Sequence, residues 1–223
     1  MIGRLSFIAA LLLAPVVEAQ QAGETPPTVA EIAQARAVAD RLIRAADATG
    51  IFVNKTNGRV ATVEHVGSRM RCVFTGAEAD RIVIFPTQAD GMPRADDVGC
   101  LWRDEELNID LTTYATRYRP LPSEDAVLRD AVTAIRNRWP DAIAYDGTLA
   151  SATTGNMSPP KVAAFKITVP EGPMLTLAMV SHRGEWGYKL RATGPFEDAT
   201  TVSVYASLTL VLALTEVETD AAR

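Results

Sequence analysis

The chain has 223 residues, 48% of them hydrophobic and 22% charged, with 22 basic and 27 acidic side chains and a formal net charge of −5. These are ordinary globular proportions, and the length suits one large domain or two small ones. A mildly acidic chain without Lys/Arg blocks lacks the positive face that phosphate contacts require, which excludes a nucleic-acid partner.

The chain opens with Met1 to Arg4, a short positive start. Leu5 to Ala14 follows as an apolar run broken only by Ser6, then Pro15 and the triplet Val17-Glu18-Ala19. This order predicts a secretion signal over residues 1–19 with cleavage after Ala19. A spanning anchor needs roughly 20 apolar residues, about twice the run present. No cysteine lies near the leader, so lipid attachment at a new amino-terminal cysteine is excluded. Removing residues 1–19 deletes one base, Arg4, and one acid, Glu18, so the charge of −5 is kept. The expected location is periplasmic or secreted, with no membrane-spanning segment in the mature chain.

Two cysteines, Cys72 and Cys100, make up the whole complement. In an exported chain an even pair reads first as a disulfide. The loop of about 28 residues then stabilises the fold by roughly 3.5 kcal/mol in the chain-entropy picture.

Residues 20–27 read as a flexible lead-in containing Pro26-Pro27. Thr28 caps a predicted helix whose apolar stripe is Ile32, Ala35, Val38, Ala39, Leu42, Ile43 and Ala46, ending at Gly50. The period then changes to two. Arg59–Val66 and Arg69–Thr75 flank Gly67-Ser68 as a hairpin, and Met70, Cys72 and Phe74 share its core face. Arg81–Phe85 is a strand stopped by Pro86, Ala89–Asp97 a surface loop, and Val98–Arg103 the strand that carries Cys100. Ile109–Tyr118 has the threonines and tyrosines of a strand, which is the assignment adopted. Leu111, Tyr114 and Tyr118 would also line a helix.

Arg119-Pro120-Leu121-Pro122 punctuates the middle. Ser123 caps a second helix with Leu128, Ala131, Val132, Ile135 and Trp139 on one face, and Pro140 ends it. Its acids open and its arginines close the helix, as the dipole prefers. Gly147–Pro160 reads as a mobile loop or hinge. Lys161–Val169, Met174–Ser181 and Glu185–Thr193 read as strands, the last two joined by a turn at His182-Arg183-Gly184. Ala199–Val217 is expected to be a buried helix covering a sheet, with a strand and a membrane-associated helix as alternatives.

The expected fold class is α+β, with antiparallel β-meanders and helices packed on the sheet. The division near Pro120 gives a first α+β half over 28–120 and a second over 121–223, which can also form one compact domain.

The most ordered polar feature is the strand after Gly184. Alternation puts Trp186, Tyr188 and Leu190 on one face and Lys189, Arg191 and Thr193 on the other. A cationic row on a sheet can hold an anionic ligand or an acidic partner, although a wet sheet face carries such residues too. Lys189, Arg191, Trp186 and His182 are the candidate ligand-binding residues. His65 and His182 are the only histidines. Glu64 and His65 point to opposite strand faces, so a zinc site would need His65, His182 and an acid brought together by the fold. Ser68 or Ser181 with a histidine would make a hydrolase site, but neither lies in a Gly-x-Ser-x-Gly elbow, and no Gly-rich phosphate loop occurs. No metal or cofactor is expected.

The stretches Trp186-x-x-Lys189-x-Arg191-x-Thr193 with Gly194-Pro195, and Tyr114-Ala115-Thr116-Arg117-Tyr118, resemble segments of uncharacterised exported proteins of Gram-negative bacteria. The resemblance implies an envelope location and no activity. The leading expectation is a non-catalytic binding or interaction module of the cell envelope, taking a small anionic ligand or an envelope protein. A hydrolase with a site near His65 or His182 is the alternative. An envelope-complex subunit that docks through Ala199–Val217 is a third.

Overall fold

A computed structural model describes residues 25–86, 93–153 and 158–221. The expected secretion signal lies outside the described residues, as do 20–24 of the lead-in, 89–92 of the surface loop and 154–157 of the Ser/Thr/Gly stretch. The described chain runs α1 (Val29–Ala45), β1 (Phe52–Asn54), β2 (Ala61–His65), β3 (Arg71–Phe74), β4 (Arg81–Ile84), β5 (Asp97–Asp104) and β6 (Ile109–Arg117). It continues through α2 (Glu124–Arg138), β7 (Ile143–Ala144), β8 (Lys161–Val169), β9 (Gly172–Arg183), β10 (Trp186–Pro195) and α3 (Ala199–Ala221). The class is α+β.

Both N-caps predicted for the first two helices form. Thr28 Oγ1 accepts from the Glu31 backbone N–H at 3.2 Å while the Glu31 carboxylate accepts from Thr28 N–H at 2.7 Å, a reciprocal capping box. That backbone bond, with the Arg59 guanidinium at 3.0 Å, holds the Glu31 carboxyl down at about 2. Ser123 Oγ accepts from Ala126 N–H at 3.2 Å at the start of α2. The buried stripe of α2 is Val127, Ala131 and Ile135, with Leu128 and Val132 only half-buried, so the helix is rotated slightly from the expected phase.

Strands β1-β2-β3 form a small antiparallel sheet, and β4-β5-β6-β10-β9-β8-β7 a large one. The large sheet takes strands from both sides of Pro120: β6 and β10 pair antiparallel, from Trp186 opposite Arg117 to Thr193 opposite Asp110. Ile109–Arg117 is therefore a central strand rather than a helix. The short β1 was not apparent from periodicity; Phe52 pairs with His65 across it.

Two apolar cores follow from the alternation of the large sheet. On one face Leu111, Ala115, Tyr188, Leu190, Leu177 and Met179 meet α1, α3 and the inner face of the small sheet. Met70, Cys72 and Phe74 are all buried there, as their shared strand face predicts. Cys72 and Cys100 form a disulfide with Cα atoms 6.2 Å apart, joining β3 of the small sheet to β5 of the large one. Helix α3 lays Val202, Ala206, Leu210 and Leu214 into this core, the covering role expected for Ala199–Val217. Its Ser203 and Ser207 hydroxyls accept from the backbone N–H groups of Ala150 and Ala152, so this part of the Ser/Thr/Gly stretch is pinned along the helix. On the opposite face of the sheet, α2 packs Ala131 and Ile135 onto Phe165, Ile167 and Ala178 of β8 and β9. Since α2 covers only that end, no helix of the described residues packs on the same face over β4, β5, β6 and β10.

Candidate functional site

The uncovered face is built of cross-strand rows, in which directly opposed residues share a side of the sheet. One row runs Asp97, Thr116, Gly187, His182; the next Val83, Gly99, Tyr114, Lys189, Val180. The third runs Arg81, Leu101, Thr112, Arg191, Ala178, and the fourth Arg103, Asp110, Thr193, Thr176.

The first two rows are closed by aromatic rings laid over glycines. Phe85 covers Gly99, where a Cβ would stand 3.0 Å from its ring, and stacks on Tyr114 with centroids 5.6 Å apart. Tyr118 covers Gly187, where a Cβ would stand 2.7 Å from Cε2. The Lys189 ammonium lies 4.4 Å from the centre of the Tyr114 ring. Burial and the neighbouring Arg191 charge lower its pKa, while Asp97 and Asp130 act the other way. His182 sits beside Tyr118. Its backbone N–H donates to Glu124 at 2.9 Å, and burial lowers the imidazole pKa against the pull of Glu124. Because β9 runs through Arg183 and the turn falls at Gly184-Glu185, His182 is a strand residue rather than a turn residue.

Beyond these rows the face opens into a groove of about 570 Å³. Its floor is Leu101, Thr112, Thr193 and the edge of Tyr114, and Trp139, Val169 and Met174 form an apolar wall beside the end of α2. Four arginines line it, Arg81, Arg103, Arg138 and Arg191, against two acids, Asp110 and Glu171. Arg103 is committed: it donates to Asp110 at 2.9 and 3.0 Å and to Asn108. Arg138 stacks on Trp139, 4.6 Å from the ring centre. Among the described residues, Arg81, Arg138 and Arg191 have no carboxylate within ion-pair distance. The groove thus concentrates positive charge on an otherwise acidic chain. Its volume falls within the range of small-ligand sites, roughly 300–1,000 Å³.

Compared with known proteins, the chain matches no family model and no curated sequence. What it binds has to be argued from this geometry.

The four candidate residues are distributed unevenly over it. Arg191 lines the groove. Lys189 borders it across the Tyr114 ring, and His182 is half-buried beside Tyr118 at Gly187, outside the groove lining. Trp186 lies on the opposite face, edge-on to His65 with centroids 5.3 Å apart and against Gly67, so it belongs to the core and not to a site with Lys189 and Arg191. Periodicity already separated Trp186 from Lys189; its grouping with the cations ignored that. Arg81, Arg138 and Trp139 were missed as site residues. Arg81 opens its strand on the same alternation, while in the sequence Arg138 reads as a helix-closing charge and Trp139 as part of that helix's apolar face.

The histidines do not converge. His65 packs from the small sheet onto the core side and His182 faces the other side, so they cannot share a metal ion. No described cluster of three or more His, Cys, Asp or Glu side chains has metal-ligating geometry. His65 and Ser68 do pair, with Nδ1 to Oγ at 2.8 Å. Ser68 N–H also donates to Nδ1 at 3.1 Å, Met70 N–H donates to Ser68 Oγ at 3.2 Å, and Tyr188 Oη donates to the Ser68 carbonyl at 2.6 Å. Both side chains are buried, at 0% and 2% exposure, and no carboxylate of the described residues bonds the other ring nitrogen. These bonds tie the β2–β3 turn, where Arg69 adopts a φ of 61°, to the large sheet. Ser181 is buried on the core side, away from His182.

Proposed function

We propose that the protein is an exported, non-catalytic binding module that holds an anionic ligand in the groove over β4, β5, β6 and β10. The observation that carries this reading is that Arg81, Arg138 and Arg191, from three separate elements, line one groove with no carboxylate of the described residues within ion-pair distance. A guanidinium fork recognises carboxylate or phosphate through paired, charge-assisted hydrogen bonds. The disulfide between buried Cys72 and Cys100 supports an oxidising compartment. Among the described residues no helix is long and apolar enough to cross a membrane. The test is a thermal-shift screen of anionic, neutral and cationic compounds at fixed ionic strength. Anions should raise the melting temperature of the wild type and leave an Arg81→Gln/Arg138→Gln/Arg191→Gln variant unmoved. Equal shifts in both proteins would refute the assignment. Intact mass of the exported protein should show loss of residues 1–19 and two thiols protected from alkylation.

A second reading, an envelope-complex subunit, is favoured by one observation. Val204, Leu208 and Leu212 follow one another at four-residue steps on the outer side of α3 and are 37%, 50% and 51% exposed. Leu208→Asp should then abolish co-purification with a partner while the melting temperature stays constant.

A further inference from the structure

Resting on the anion-binding assignment above, we infer that the ligand is an elongated small molecule with an anionic group towards each end, rather than a compact monoanion. Arg81 and Arg191 stand in one cross-strand row, separated only by Leu101 and Thr112. Three interstrand steps put their backbones about 14 Å apart. Both side chains line the same groove, and the two residues between them are shorter and carry no charge. The row is therefore cationic at both ends and uncharged in the middle. A single carboxylate reaching one end would leave the other guanidinium without an acceptor.

The wall supports the same shape. Trp139, Val169 and Met174 give the middle of the ligand an apolar side, and the Thr112 and Thr193 hydroxyls offer hydrogen bonds along the floor. Arg138 adds a third guanidinium at the α2 end. Glu171 lies on the lining as well and disfavours acid at its own position, which directs the anionic groups towards the arginines. Dicarboxylates and bis-phosphorylated or oligophosphate compounds share this chemistry.

Tryptophan fluorescence reads the site directly, because Trp139 lines it. The full exported chain is titrated with octanedioate, tripolyphosphate, octanoate and chloride at matched ionic strength. Octanedioate and tripolyphosphate should give saturable changes, whereas octanoate and chloride should not. Arg81→Gln and Arg191→Gln should each weaken octanedioate by about tenfold or more, since each removes one charged end. Arg44→Gln, on the exposed side of α1, should leave binding unchanged. If octanoate binds as tightly as octanedioate and Arg191→Gln removes both, the two-ended ligand is refuted while the anion site stands. If no anion alters the fluorescence, or if the change survives both substitutions, the two proposals fall together. Melting curves of each variant confirm that the fold is retained.

Discussion

Acidification should weaken the fold through His65. The imidazole is fully buried between the Phe52 and Trp186 rings, 5.2 and 5.3 Å away, and accepts at Nδ1 from Ser68. Desolvation lowers its pKa from an ordinary 6.5 to about 4, against a small opposing pull from the Ala95 carbonyl. Below pH 6.5 the unfolded chain takes up a proton that the folded chain refuses, so the stability difference falls as pH falls. The contribution is complete above about 6.5 and is lost through the window down to about 4. At 1.36 kcal/mol per pH unit of separation it amounts to about 3 kcal/mol. The assay is urea unfolding from pH 7.5 to 4 for the wild type and for His65→Asn, whose amide oxygen keeps an acceptor near Nδ1 and does not titrate. His182, also shifted down, acts with the same sign, and Asp80 and Asp97, shifted up by burial, act with the opposite sign above 3.8. All three are common to both proteins and cancel in the difference. The wild type should be more stable at pH 7 and converge towards the variant by pH 4. A gap that stays constant across that range would refute the argument.

Replacing Cys72 and Cys100 together by serine should cost about 3.5 kcal/mol in urea unfolding, with the wild-type disulfide resisting reduction until the chain unfolds. Gly194→Ala should lose about 1–3 kcal/mol, because the new Cβ would stand 2.7 Å from Val202 of α3 and 3.0 Å from Ile109 of β6, both buried core side chains. Neutral calorimetry would overturn that close approach. Thr28→Ala removes one half of the capping box and should lower stability by about 1 kcal/mol by thermal unfolding.

Local signals in the sequence carried much of the fold. Thr28 and Ser123 mark helix starts through side-chain oxygens that satisfy free N–H groups, and these are short-range events. Cys72 was placed on the buried face by alternation alone, and Lys161–Val169 has the same bounds in sequence and structure. The site was mostly illegible because it depends on register. Arg81 and Arg191 lie far apart in the chain and meet only through the pairings of β5, β6 and β10. Pro140 announces where α2 stops, but nothing near Arg138 announces that Trp139 there walls a groove on the sheet. The turn at His182 was misplaced by two residues because Gly184, with a φ of 55°, takes the left-handed position itself. Three-residue β1 offers too little alternation to be seen.

The seam between β6 and β10 places the last strand to be made in the middle of the large sheet. Until β10 arrives, β6 and β9 each expose a full row of backbone donors and acceptors, the arrangement that templates intermolecular pairing. A product truncated before Trp186 would hold two open sheet fragments instead of one closed surface. Aggregation, rather than a smaller folded protein, is the fate its topology dictates.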